Sequence, residues 1–73
     1  MRILYYDFYG TPARITLGDG DTPERCEVYD AAADTFIARN ELTLDVYDTA
    51  GSHLIPEEEF RELLARVRAA RQG

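Results

Sequence analysis

Pro56-Glu57-Glu58-Glu59-Phe60-Arg61-Glu62-Leu63-Leu64-Ala65-Arg66-Val67-Arg68-Ala69-Ala70-Arg71 decides the fold class. Pro56 suits the first position of a helix, where its missing N–H is not needed. Three glutamates follow at the positive end of the helix dipole, and Arg66, Arg68 and Arg71 stand toward the negative end. Phe60, Leu63, Leu64 and Val67 fall at i, i+3, i+4 and i+7 and mark one apolar face. Glu57 with Arg61 and Glu62 with Arg66 are i, i+4 pairs in the favourable order. The spacing predicts a helix over 56–71, whose stripe must be buried against another layer.

The rest of the chain supplies that layer as strands, predicted at about 2–9, 13–17, 24–30, 35–39 and 42–48. Arg2–Tyr9 is rich in β-branched and aromatic residues. Gly10-Thr11-Pro12 marks a turn, and Ala13, Ile15 and Leu17 alternate with Arg14 and Thr16, so the N-terminal third reads as a hairpin. Gly18-Asp19-Gly20-Asp21-Thr22-Pro23 breaks regular structure. The middle carries a weak repeat of period 18, Glu27–Ile37 aligning with Asp45–Ile55, each copy acid-Val-Tyr-Asp followed by small residues and an apolar pair. Ala31-Ala32-Ala33 also favours a helix capped by Asp30, but the second copy contains Ala50-Gly51-Ser52, a turn signal. On that ground both copies are read as strand, turn and short return strand. The expected fold is α+β in one small domain, residues 1–73: an antiparallel sheet of four to five strands with the helix packed on one face.

Alternation then sorts the side chains. One face reads Leu4, Tyr6, Phe8, Cys26, Val28, Leu42, Leu44 and Val46, and the other reads Tyr5, Asp7, Tyr9, Glu27, Tyr29, Thr43, Asp45 and Tyr47. The helix is expected on the Leu/Val/Phe face, leaving the tyrosine and carboxylate face open. Tyrosine offers a large rigid surface with one polar tip and is enriched at interfaces. Tyr5, Asp7, Tyr9, Glu27, Tyr29, Asp45 and Tyr47 are therefore the candidate partner-binding residues.

Composition limits the function classes. The chain has 73 residues and a net charge of −6. Residues 1–60 hold four Arg against thirteen Asp or Glu, and residues 61–73 hold four Arg against one Glu. An acidic body does not suit a phosphate backbone, which needs clustered cations, and points to a protein partner with a basic surface. The single Cys26 has no internal disulfide partner, no apolar run is long enough to cross a bilayer, and the N-terminus lacks a signal-peptide core. The expectation is a cytoplasmic protein that binds neither membrane nor nucleic acid directly. His53 is the only histidine and reads as a loop residue before the helix; Cys26, on the apolar alternation, reads as core. The acids at 19, 21 and 24 lack an EF-hand pattern and read as a solvated turn, while Asp30 and Asp48 read as caps of their turns. With no nucleophile and base, no metal constellation and no cofactor fingerprint, no enzyme class and no cofactor is expected.

The function that follows is a small acidic, non-enzymatic protein-binding module. In its sharper form it is an inhibitor that imitates nucleic-acid charge. Small acidic phage proteins that antagonise CRISPR or restriction systems share this size and acidity, a likeness of size and charge only. Two other readings stand beside it: a structural subunit forming a homodimer through the tyrosine-bearing face, and a regulatory accessory protein of a phage or plasmid acting through its C-terminal helix.

Overall fold

The computed structural model describes residues 2–72, Gln72 by its backbone alone. Five strands form one antiparallel sheet: β1 (Arg2–Phe8), β2 (Thr11–Leu17), β3 (Pro23–Asp30), β4 (Thr35–Ala38) and β5 (Ser52–Ile55). Their order in space is β4-β3-β2-β1-β5. A 3-10 turn (Asn40–Leu42) leads into a short helix, α1 (Thr43–Tyr47), and the chain ends in the long helix α2 (Glu57–Gln72). The α+β class and the C-terminal helix are as the sequence reads. No helix among the described residues is long and apolar enough to cross a membrane.

Local chemistry builds the meander. Tyr9 (φ 53°) and Gly10 (φ 83°) both take left-handed backbone in the two-residue turn between β1 and β2, the geometry that matches strand twist. The Asp7 carboxylate accepts the Gly10 N–H at 2.7 Å and holds that turn. Residues 27–38 form the hairpin read from the sequence, with Glu27 opposite Ala38 and Asp30 opposite Thr35. Asp30 accepts the Ala32 N–H at 3.0 Å, the expected cap, and Asp34 (φ 53°) completes the turn in a conformation that Asp tolerates.

The second copy of the repeat does not form that hairpin. Residues 42–48, expected as a strand, are helical, and the fifth strand is Ser52–Ile55 instead. The reason is topological. After β4 the chain must travel from one edge of the sheet to the other, four strand spacings or about 19 Å, and it does so across a face. Leu42 and Val46, four residues apart, point inward on a helix as they would on a strand, and Val46 is fully buried. Leu44 alone separates the two readings: a strand would bury it, and it is 79% exposed. Arg39 N–H donates to the Cys26 carbonyl at 2.7 Å and the Asn40 amide oxygen accepts the Cys26 N–H at 2.9 Å, so the departing chain still satisfies β3.

A second correction concerns the layers. The crossover covers the Leu/Val/Phe face, where Tyr6, Ala13, Ile15, Leu17, Cys26 and Val46 form the buried cluster. The long helix lies on the opposite face, the one expected to stay open. Phe60 and Leu63 are buried there; Phe60 meets Tyr5 at 4.7 Å between ring centroids and stacks on Phe36 at 5.9 Å. Chain order explains the placement: β5 runs through Pro56 into α2 with no loop, on the side the crossover has not occupied.

Candidate functional site

The seven candidate residues do not form one surface: Tyr5, Asp7, Glu27 and Tyr29 share the sheet face that α2 covers, Asp45 and Tyr47 lie on the crossover, and Tyr9 sits at the hairpin tip. Tyr5 is half-buried beneath α2 against Phe60. Glu27 is buried; its carboxylate accepts from Arg14 Nε at 2.9 Å and lies 3.3 Å from the Arg25 guanidinium. The Arg14 guanidinium in turn lies 4.1 Å above the Phe36 ring. Tyr29 is only 4% exposed, and its hydroxyl donates to Asp34 at 2.6 Å. These three residues hold α2 and the β3–β4 hairpin together. The tyrosine face expected to stay open is thus partly covered, with Tyr5 and Tyr29 packed beneath α2 and the hairpin.

Their local electrostatics follow from that packing. Asp34 accepts from both the Tyr29 hydroxyl and Arg68 Nε, and Arg71 donates to the Ala31 carbonyl, so the end of α2 is latched onto the hairpin. The Tyr29 hydroxyl, then the Arg68 guanidinium, hold the Asp34 carboxyl below its ordinary value of 3.8. The same bond, with burial adding to it, pushes the Tyr29 phenol above 10.0. A depressed carboxyl stabilises the fold above its unfolded value, and that contribution disappears as pH falls through the folded value. Asp34→Asn keeps the left-handed turn and removes the charge. Its urea midpoint should lie below wild type at neutral pH, and the gap should close as pH falls below 3.8; a gap independent of pH would mean the ionised latch contributes nothing.

On the other side, Asp45 and Tyr47 are exposed on α1, with Tyr47 edge-on to Tyr6 at 6.2 Å. Tyr9 is 65% exposed at the hairpin tip, its N–H bonded to the Gly51 carbonyl and its ring so close over Gly51 that a methyl group there would collide with it. Asp7, on the α2 face with Tyr5, is half-buried and committed to its turn. What surrounds Asp45 and Tyr47 was not picked out from the sequence. Glu41 in the 3-10 turn, Leu44 and Asp45 on α1, and Asp48 just past its end are all exposed along the crossover. The available signal was Leu44, an apolar residue that a helical period at 42–48 leaves outside.

The basic residues are largely spent within the chain. Arg14 and Arg25 face Glu27, Arg61 faces Glu57, Arg68 faces Asp34, Arg2 lies 3.7 Å from Asp21, and Arg71 bonds Ala31. Among the described residues only Arg39 and Arg66 lack such a partner, whereas Glu41, Asp45 and Asp48 have no cationic partner. Cys26 is fully buried and burial pushes its thiol up, which opposes nucleophilic use. No group of three potential metal ligands occurs among the described residues. No protein-family model, curated protein or solved structure matches the chain.

Proposed function

We propose that this chain is a non-enzymatic module that docks on a basic protein surface through its crossover helix. Leu44 and Tyr47 are the apolar anchors, and Glu41, Asp45 and Asp48 are the carboxylates around them. The observation that carries the reading is Leu44, a large aliphatic side chain 79% exposed among acids with no cationic partner. An apolar anchor bordered by charge gives affinity at the centre and partner selection at the rim. In the sharper form, those carboxylates stand where a basic partner would hold phosphates, and the module inhibits a nucleic-acid-binding protein by occupying its site. Of the seven residues selected from the sequence, Asp45 and Tyr47 belong to this surface.

Binding of a basic partner should weaken with salt, as expected for charge at an interface. Leu44→Arg should abolish it, and Glu41→Arg with Asp45→Arg should reduce it at least about tenfold, a loss of about 1.4 kcal/mol. Because these side chains are exposed, thermal stability should barely move. Immobilised wild type and variants, challenged with the same cell extract at low and high salt, provide the measurement. Retention of the same proteins by all of them would remove the crossover helix from the function.

A further inference from the structure

The sheet has a second, unrelated feature: β5 pairs only with Tyr5–Phe8 of β1 and leaves Arg2, Ile3 and Leu4 without a partner on that side. Tyr5 pairs with Ile55, Asp7 with His53, and the Tyr9 N–H donates to the Gly51 carbonyl at 2.8 Å. In an antiparallel ladder alternate residues bond to alternate neighbours. Tyr5, Asp7 and Tyr9 therefore face β5, while Leu4, Tyr6 and Phe8 face β2. Ile3 continues the first set, so its N–H and C=O point toward β5's line. The register places position 57 opposite it, but there the chain has already turned at Pro56 into α2.

The result is a notch one strand wide. Ile3, Leu4 and Tyr5 line one wall, and Leu54, Ile55 and Pro56 close its end, around an open volume of about 520 Å³. Ile3 is 39% and Leu54 63% exposed, so the rim is apolar. A backbone donor and acceptor side by side within an apolar groove match one ligand chemistry: an extended peptide that adds as a strand.

We infer that this notch accepts a short extended segment of a partner protein, antiparallel to β1 and in line with β5, with apolar residues at its centre and basic residues beside them. The charge preference comes from Glu58 and Glu59, exposed at the start of α2 just beyond the wall and in no ion pair among the described residues, whereas Glu57 on the wall is compensated by Arg61. The nearby cations are engaged, Arg61 with Glu57 and Arg2 with Asp21. A second copy of this chain would bring another net charge of −6 to the same place, which disfavours self-pairing. The site is independent of the crossover helix and stands or falls without it.

The test is a titration of the isotope-labelled full chain with a capped Arg-Val-Ile-Val-Arg peptide, followed through backbone amides. The Ile3 amide should shift and its hydrogen exchange slow, while exchange of the Leu54 amide, whose N–H faces the outer edge of β5, should not slow. A Glu-Val-Ile-Val-Glu peptide should bind at least about tenfold more weakly. Ile3→Pro removes the outward N–H without touching a ladder bond, and should weaken binding about tenfold, the worth of one hydrogen bond. If that variant does not fold, N-methylation of the peptide's central residue removes a bond from the other side and should have the same effect. Protection at Leu54 in place of Ile3, equal binding of both peptides, no response at millimolar peptide, or pairing of two copies at β1 would each overturn the assignment.

Discussion

Ile15→Ala should leave the domain largely unfolded at room temperature. Ile15 is fully buried on β2, the middle strand, and its register neighbours are Leu4 on β1 and Cys26 on β3. Removing a buried Ile side chain costs about 2–5 kcal/mol, because transfer energy is lost and a cavity remains. A core of this size rarely supplies more than about 3–5 kcal/mol in total. The loss is therefore comparable with the whole stability. Urea denaturation followed by circular dichroism measures it, and Cys26 provides an independent probe: its thiol is inaccessible in the native sheet and should react rapidly in the variant. A cost under about 1 kcal/mol would contradict the position of Ile15 at the centre of the core.

Phe60→Ala should be nearly as damaging, and it tests the layer assignment. Phe60 is the first apolar residue of α2 and lies between Tyr5 and Phe36. Truncating a buried Phe costs about 3–5 kcal/mol, and here the aromatic contacts on both sides are lost together. The variant should denature at much lower urea, with the tyrosine absorbance of the folded fraction shifting as Tyr5 loses its cover. Leu44→Ala is the matched control: an equally apolar residue, but exposed, where the change should stay within about 0.5 kcal/mol. If Phe60→Ala behaved like Leu44→Ala, the helix would not be anchored where Tyr5 and Phe36 place it.

The sequence made these two residues unequally visible. Ile15 and its neighbours stand out because Ala13, Ile15 and Leu17 alternate with polar residues in a strand flanked by turns, and period two has no competing interpretation there. The α2 stripe is equally plain. Residues 42–48 are ambiguous because Leu42 and Val46 satisfy a period of two and a separation of four alike. Only the need to cross the sheet, a property of the whole chain, decides between them. The side of the sheet chosen by α2 was hidden for a different reason. Tyr5, Tyr29 and Glu27 look like a polar surface as letters, but Glu27 is neutralised by Arg14 and Arg25, and Arg14 lies flat on Phe36. A face so paired accepts an apolar helix. Of the candidate surface, Asp45 and Tyr47 were legible as exposed residues; their companions Glu41, Leu44 and Asp48 were not, since a strand reading directs Leu44 into the core.

The strand order also fixes how the chain must assemble. β1 to β4 are joined by short turns and each pairs with its successor, so their loops close at little entropic cost. β5 is different: Phe8 meets Ser52 and Tyr5 meets Ile55 across most of the chain. Contacts between distant residues form slowly because the intervening chain must be ordered first. The four-strand meander is therefore the expected nucleus, and β5 with α2 the piece that docks last and detaches first. A break in the exposed crossover should leave two fragments, roughly 1–40 and 41–73, that recombine in solution, the first offering a template and the second completing its edge.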